Sequence, residues 1–231
     1  MDRPLTPGQL SELASVDTPT VCNAIEAFRV RDDSEGFMGI RVRCLTPELG
    51  VMVGYAVTAT CDSMTPGRPR DRDRFMALWE ALAAAPKPAV LIFQDVSPKA
   101  THSVHLGDVM ASIAVRLGAV GLVTDGAIRD ADGIQPLRFH LFALGLAPSH
   151  GTFNVVDVGV PVTVDGVRVA PEDLIHVDPN GVATIPLSIA GRLYAECRKV
   201  HERERALRHY VVSQEFTLEG LRERVLGRPS H

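Results

Sequence analysis

The chain has 231 residues and a formal net charge of −4, with 45% hydrophobic and 23% charged residues, an ordinary composition for a globular protein with a real core. The acidic balance gives no electrostatic reason to expect binding to nucleic acid or to an anionic membrane. The first ten residues are too polar for a signal peptide, and no later apolar run is long enough to span a bilayer. We therefore expect a cytoplasmic protein that does not bind membranes. Its four cysteines have no zinc-type spacing and are expected to be reduced thiols.

The first fifty residues predict two short helices followed by a loop. The helices are expected over residues 6–15 and 18–28, the second with Pro19 in its first turn, and we interpret that helix as a packing or subunit-contact segment. Residues 29–50 are polar and irregular, and we expect them to form a loop that covers the functional site. The alternating run 50–60 then predicts a strand.

The next segment combines a charged run with a buried strand. Residues 68–74 carry both signs of charge and precede the apolar sequence FMALWEALAAA, so a solvated helix start is favoured over a phosphate-binding site. Residues 89–94 predict a second strand, and Asp95 follows at its carboxyl end. His102 and His105, in the loop after Asp95, are considered as metal ligands, although a loop histidine is more often a solvated or substrate-edge group.

Residues 106–134 carry the side chains on which the functional prediction depends. Asp108 is expected to cap a helix that ends at Gly118, because an Asp side chain accepts hydrogen bonds from the unpaired N–H groups of a helix start. The apolar residues of this helix have the spacing of a buried stripe; they are Val109, Met110, Ile113, Ala114 and Leu117.

A short apolar strand follows this helix and leads to an Arg-Asp pair. Residues 120–123 predict a parallel strand buried on both faces, which ends at Asp125-Gly126. Arg129 and Asp130 come directly after that turn. Since open α/β sheets place their chemistry at the carboxyl ends of strands, we expect Asp108 and Arg129 to meet at one edge of the sheet.

Short strands and a long helix complete the predicted elements. Residues 139–145, 155–160, 162–164, 167–170 and the sequence DLIHVDPNGVATIP predict a β-rich layer, and Asp165-Gly166 and Asn180-Gly181 are hairpin signals. A helix over residues 188–210 is expected to bury Leu193, Cys197 and Val200 and to expose charged residues. Residues 211–231 receive no assignment.

Gly107-Asp108, followed twenty residues later by Arg129-Asp130 with Gly121 to Gly126 between them, resembles the signature of the RraA-like family. The resemblance extends over about residues 18–186 and departs at Asn23, where the family usually has Asp. It implies a single RraA-like domain over residues 1–231, an α/β/α sandwich with a swivelling β layer, and a homotrimer or homohexamer with its sites near subunit interfaces. The C-terminal helix would then make oligomer contacts.

The resemblance implies two functions for such a chain. One is a class II, metal-dependent pyruvate aldolase acting on 4-hydroxy-4-methyl-2-oxoglutarate or 4-carboxy-4-hydroxy-2-oxoadipate, with oxaloacetate decarboxylase activity. The other is a non-catalytic protein that binds and inhibits an endoribonuclease. Regulators of that kind can lack the Asp of the Arg-Asp pair. Because Asp130 is present here, the enzyme is the favoured interpretation.

The residue types themselves suit this chemistry. Mg²⁺, with Mn²⁺ as the alternative, needs only one or two protein carboxylates, and Asp130 is the expected ligand. Arg129 would stabilise the enolate formed from a 2-oxo acid, and Asp108 would orient a water for proton transfer. The substrate carboxylate is expected at Gly107 and at the N–H groups of Val109 and Met110. As in relatives, Glu202 or Glu204 would reach a neighbouring subunit's metal surroundings.

Overall fold

A mixed eight-stranded sheet forms the centre of the molecule in the computed structural model, which describes residues 4–99 and 102–226. Its strands are β1 (Arg43–Cys44), β2 (Met52–Asp62), β3 (Ala89–Asp95), β5 (Ala119–Thr124), β7 (His140–Ala143), β8 (Asn154–Val158), β11 (Leu174–Asp178) and β12 (Gly181–Ile185). Two small two-stranded sheets accompany it. One pairs β4 (Val104–Leu106) with β6 (Ala127–Ile128), and the other pairs β9 (Val162–Val164) with β10 (Val167–Val169).

The strand order places four parallel strands in the middle of the sheet. The order is β1-β7-β5-β3-β2-β11-β12, in which β7, β5, β3 and β2 run parallel and the outer strands are antiparallel. The long strand β2 pairs with β11 along its first part and with β8 along its last part. The carboxyl ends of β2, β3 and β5 therefore lie side by side.

Helices cover one face of this sheet and a β-hairpin covers the other. The helices are α1 (Pro7–Leu13), α2 (Thr18–Glu26), α3 (Arg72–Ala84), α4 (Asp108–Arg116), α5 (Ala131–Ile134), α6 (Leu187–Val211) and α7 (Leu218–Leu226). Alternate residues of β2 point to opposite faces. Val57 packs with α3 and α4, Val53 packs with α1, α2 and α6, and Ala56 faces the β9–β10 hairpin on the other side.

Most of the predicted elements are confirmed. Each predicted strand and helix has a counterpart within a few residues of its expected bounds, and the mixed α/β class is the observed one. The Asp165-Gly166 turn joins β9 to β10, with φ values of 41° and 87° at its two residues, as the predicted hairpin requires. Most of the expected β-rich layer, however, continues the main sheet through β8, β11 and β12.

Within one subunit, residues 29–50 do not line the pocket that they were expected to cover. Phe37 pairs with Ala183 on β12, the N–H of Gly39 donates to Asp165, and β1 pairs with β7. These contacts hold the segment against the edge strands and the hairpin. Backbone pairing and the burial of Met38 and Val42 thus determine the position of this segment. Its polar composition gave no indication of these contacts.

The C-terminal part of the chain forms two helices. The predicted long helix is confirmed as α6, and the unassigned region contains the short helix α7. Arg224 of α7 stacks on the ring of Tyr210 at 3.6 Å, so α7 folds back on the end of α6. Among the described residues, no helix combines the length and the apolar character that crossing a membrane requires.

Candidate active site

The small parallel pair β4–β6 brings the two halves of the predicted motif together. Leu106 pairs with Ile128, and the N–H of Arg129 donates to the carbonyl of Leu106 at 2.9 Å. Gly107 and Asp108 follow β4 directly, while Arg129 and Asp130 follow β6. Residues separated by twenty positions in the sequence therefore lie next to each other beyond the carboxyl ends of the central strands, as predicted.

Gly107 lies against the Arg-Asp pair. Arg129 and Asp130 form an ion pair in which Nε lies 3.1 Å from Oδ2, and both side chains are a little more than one third exposed. A Cβ atom on Gly107 would lie 2.6 Å from Asp130 Oδ2 and 3.1 Å from Arg129 Nε. The missing side chain thus allows the carboxylate of Asp130 and the side chain of Arg129 to lie close against the backbone of Gly107.

Asp130 has an unusual backbone conformation. Its φ and ψ are 58° and 37°, in the left-handed region, and it precedes the short helix α5. Residues other than glycine enter this region rarely, and Asp does so more readily than most. The N–H groups of Gly133 and Ile134 donate to the Asp130 carbonyl at 3.0 and 3.1 Å, and these bonds stabilise the turn that directs the carboxylate.

The predicted cap of α4 is wrong by one residue. Gly107 is the N-cap, and Asp108 is the first helical residue. Its Oδ1 accepts from the N–H of Val109 at 2.7 Å, so that N–H is engaged and not open to a substrate as predicted. Val109 was also expected to be buried, but its side chain is 68% exposed. The first N–H groups of a helix have no partner within it, so the N–H of Met110 can still meet an anion.

A pocket of about 520 Å³ opens beside these residues. On one side it is lined by Gly107, Asp108, Met110 and Arg129. Asp130 is not part of the wall, but its Oδ2 lies directly behind Gly107. Residues from segments 70–76 and 150–155 form another part of the lining. The sequence analysis did not assign these segments to the site, because their contribution depends on the pairing of β8 with the end of β2.

His105 lies at the pocket lining and belongs to a buried polar network. Its side chain is fully buried, with Nδ1 2.7 Å from Thr124 Oγ1, Nε2 3.0 Å from Ser103 Oγ and 3.5 Å from Asp95 Oδ1. Both ring nitrogens are thus used within the protein, so His105 is not available as a metal ligand. His102 is exposed in the preceding loop.

The two acids of this network have opposite pKa shifts. Burial raises the pKa of Asp95, but interactions with His105 and Ser97 outweigh it and hold that pKa below its ordinary value. Burial raises the pKa of Asp125, whose Oδ1 accepts from the N–H of Asp95 at 2.6 Å. The network thus joins the ends of β3 and β5 directly beneath the site.

The site residues fit a sparsely held divalent cation. Among residues 4–99 and 102–226, no group of three or more His, Cys, Asp and Glu side chains could enclose a metal ion. An ion of the Mg²⁺ type nevertheless accepts one or two carboxylates together with water or substrate oxygens. Asp130 supplies a partly exposed carboxylate, which lies close to the backbone of Gly107 beside the pocket.

The structure does not bring the acids of α6 to this site within one subunit. That helix packs on α1 and α2, and within the described chain none of its residues lines the pocket. Glu202 lies 3.8 Å from Arg198, and Glu204 lies 3.0 Å from Arg208. Their predicted contact with a neighbouring subunit stays a prediction.

Comparisons with known proteins agree with the motif. Residues 18–184 match the protein family described as "RraA-like: Aldolase/RraA". An uncharacterised protein of Methanocaldococcus jannaschii is 32% identical over 105 residues, covering 45% of this chain and half of that protein. A protein of Halalkalibacterium halodurans, provisionally named as a 4-hydroxy-4-methyl-2-oxoglutarate aldolase, is 32% identical over 150 residues, covering 62% of this chain and 70% of that protein.

One solved structure shows the shared fold. RraAS2 of Streptomyces coelicolor, described as an unusual member of the RNase ES inhibitor RraA protein family, superimposes with a TM-score of 0.70. It is 24% identical, and the match covers 90% of this chain and 98% of that protein. At this identity the match concerns the fold alone.

Proposed function

The chain belongs to the RraA-like family, and on that premise we propose that it is a divalent-metal-dependent carbon–carbon lyase acting on 2-oxo acids through a pyruvate enolate. The observation that carries the proposal is the position of Asp130. Its carboxylate forms an ion pair with Arg129 and lies against Gly107, at the edge of a pocket that can hold a small acid. The provisional aldolase name of a relative that is 32% identical supports it.

Asp130 is the proposed metal ligand, with Asp108 as the second nearby carboxylate. When bound, the ion would polarise the carbonyl of the 2-oxo acid and favour cleavage of the adjacent carbon–carbon bond. Mg²⁺ is the proposed ion, with Mn²⁺ as the alternative, because the donors are oxygens and few in number. The other contributions come from the residues around the pocket.

Arg129 is proposed to stabilise the developing charge. Arg129 lines the pocket, and its Nε forms an ion pair with Asp130 Oδ2 at 3.1 Å. Preorganised positive charge lowers the energy of an enolate oxygen because it needs no reorganisation as the charge forms. The N–H of Met110 at the start of α4 is proposed to receive the substrate carboxylate, since helix starts favour anions.

Asp108 is proposed to orient a water molecule for proton transfer. Its Oδ1 accepts from the N–H of Val109, and Gly133 of α5 lies close to the other side of the carboxyl group. A carboxylate held in this way can orient a water that removes a hydroxyl proton from an aldol substrate or returns one to the enolate.

Pyruvate release from oxaloacetate tests the proposal directly. The assay compares the wild type with Asp130→Asn, with Mg²⁺ and with EDTA, after subtraction of the rate given by the metal alone. We expect wild-type release that EDTA abolishes and a loss of at least about 100-fold in the variant, since even indirect disturbance of a metal ligand costs 10- to 100-fold. Asp132→Asn, which changes an exposed acid on α5, is the control and should retain activity.

Two outcomes of this assay would contradict the proposed lyase activity. If the wild type releases pyruvate no faster than the metal alone, or if Asp130→Asn retains the wild-type rate, lyase action on oxaloacetate by this site is wrong. A non-catalytic binding protein would need neither Asp130 nor a metal.

A further inference from the structure

The chain reaches Arg129 and Asp130 through a short connection from the main sheet. Strand β5 ends at Thr124, the turn Asp125-Gly126 follows, and β6 then leads directly to the pair. β5 belongs to the main sheet, whereas β6 pairs with β4 in a separate small sheet. The turn therefore changes the direction of the chain just before the proposed metal ligand.

Backbone hydrogen bonds make this connection stiff. The N–H of Ala127 donates to the Ser103 carbonyl at 2.7 Å on one side. On the other side, the N–H of Leu144 donates to the Gly126 carbonyl at 2.9 Å. Because segment 126–129 is bonded to neighbouring chain along its length, a displacement at its beginning is carried to the site residues at its end.

Thr124 fixes the beginning of the connection. Its side chain is fully buried, and its Oγ1 accepts from the N–H of Gly126 at 3.0 Å. A threonine hydroxyl that binds the N–H two residues further along the chain closes a local turn. The hydroxyl thus determines how the chain leaves the end of β5.

The hydroxyl of Thr124 is itself oriented by a chain of hydrogen bonds. Its Oγ1 lies 2.7 Å from His105 Nδ1, and with the Gly126 N–H donating to this oxygen, the hydroxyl hydrogen is available to Nδ1. The neutral ring then carries its hydrogen on Nε2 and donates to Ser103 Oγ at 3.0 Å. Ser103 donates in turn to Asp95 Oδ1 at 3.0 Å. These bonds all run in one direction, so each supports the next.

Gly126 lies directly against the ring of His105. A Cβ atom on Gly126 would lie 2.6 Å from His105 Cε1. Any larger residue would therefore push the turn and the ring apart. The turn is thus confined on one side by the Thr124 hydroxyl and on another by the imidazole, and both side chains are fully buried.

We propose that Thr124 is a positioning residue of the metal site, because its hydroxyl fixes the turn that directs Arg129 and Asp130. The inference rests on the proposed function, since it takes Asp130 as the metal ligand. The side chain of Thr124 is fully buried, so it acts on the ion through Gly126 and β6. Groups that hold a metal ligand in place change the metal affinity by about 10- to 100-fold when they are removed.

Equilibrium binding of Mn²⁺ tests this role without any assay of turnover. The electron paramagnetic resonance signal of the free ion measures the affinity, and circular dichroism shows that each variant is folded. Thr124→Val keeps the shape of the side chain but removes the hydroxyl, and we expect it to weaken Mn²⁺ binding at least about tenfold. Thr124→Ser keeps the hydroxyl and should bind Mn²⁺ nearly as tightly as the wild type.

Thr58→Val is the matched control. Thr58 is also fully buried in a strand of the main sheet, but its hydroxyl has no hydrogen-bond partner within the described chain. The same substitution there should leave Mn²⁺ binding unchanged. A variant that has only lost stability would likewise keep the wild-type affinity in its folded form, so the affinity separates positioning from a purely structural role.

Gly126→Ala provides the test if Thr124→Val does not fold, because it displaces the same turn from the side of the ring and should cause a similar loss of affinity. Wild-type affinity in folded Thr124→Val, or in Gly126→Ala in its place, overturns the role of Thr124 alone when Asp130→Asn still loses binding. Equal weakening in Thr124→Ser and Thr124→Val also overturns it. If the wild type does not bind Mn²⁺, or if Asp130→Asn binds it unchanged, the proposed function fails as well.

Discussion

Gly107 lies against the carboxylate of Asp130: a Cβ atom on Gly107 would lie 2.6 Å from Asp130 Oδ2. The φ of Gly107 is −129°, a value that any residue can adopt. Backbone freedom therefore does not explain the glycine. What requires it is the close approach of the Asp130 carboxylate and the Arg129 side chain to the backbone of Gly107.

Gly107→Ala should impair the site without changing the fold. The added methyl group would displace Asp130 or Arg129, and we expect at least a tenfold loss of metal-dependent turnover together with a destabilisation of about 1–3 kcal/mol from overpacking. Both are measurable by the pyruvate assay and by urea unfolding. Gly191→Ala is the control. Gly191 lies within α6, where a Cβ meets the flexible end of Gln9 at 3.2 Å, so this variant should keep full activity. Full activity of Gly107→Ala would show that the close approach of Asp130 to Gly107 is not needed.

The buried His105 network should contribute mainly to stability. His105→Ala removes the partners of Asp95, Ser103 and Thr124 in a fully buried position. We expect a loss of about 3 kcal/mol in the free energy of unfolding, because a cavity is created and polar groups are left unpaired. Urea unfolding measures it, with His209→Ala on the exposed face of α6 as the control. A loss below about 0.5 kcal/mol would mean that water replaces the ring at little cost.

The sequence predicts the site correctly where the order of helices and strands alone determines which residues meet. Asp108, Arg129 and Asp130 were placed together correctly because a helix and a returning parallel strand leave little choice of edge. The cap assignment failed by one residue, since both Gly and Asp are common at helix starts and only the backbone angles of Gly107 distinguish them.

The part of the pocket lining formed by segments 70–76 and 150–155 could not be predicted in the same way. Arg70 and His150 are eighty residues apart, and their contact depends on the antiparallel pairing of β8 with the end of β2, including a register shift between Thr60 and Cys61. No local pattern encodes such a register. The charged run was correctly associated with a helix start, but which of its arginines face the pocket depends on the ion pairs with Asp62 and Asp157.

His176 should give the protein a measurable acid sensitivity. The ring is fully buried on β11, where Nε2 lies 3.0 Å from the Leu13 carbonyl and Nδ1 lies 3.0 Å from the Thr18 hydroxyl. The carbonyl can only accept, so Nε2 carries the hydrogen, and the neutral ring satisfies both contacts. Burial lowers the pKa of His176 below its ordinary value near 6.5.

The sign of the effect follows from this direction. Below pH 6.5 the unfolded chain takes up a proton at His176 while the folded protein does not, so the free energy of unfolding falls as the pH falls toward the folded pKa. His140, whose pKa burial also lowers, contributes in the same direction. Each group adds at most about 1.4 kcal/mol per pH unit. Urea unfolding between pH 8 and pH 5 should show a shallower decline for His176→Asn than for the wild type, whereas His209→Asn should leave it unchanged. Identical slopes for the wild type and His176→Asn would show that the buried ring is not the source of the acid sensitivity.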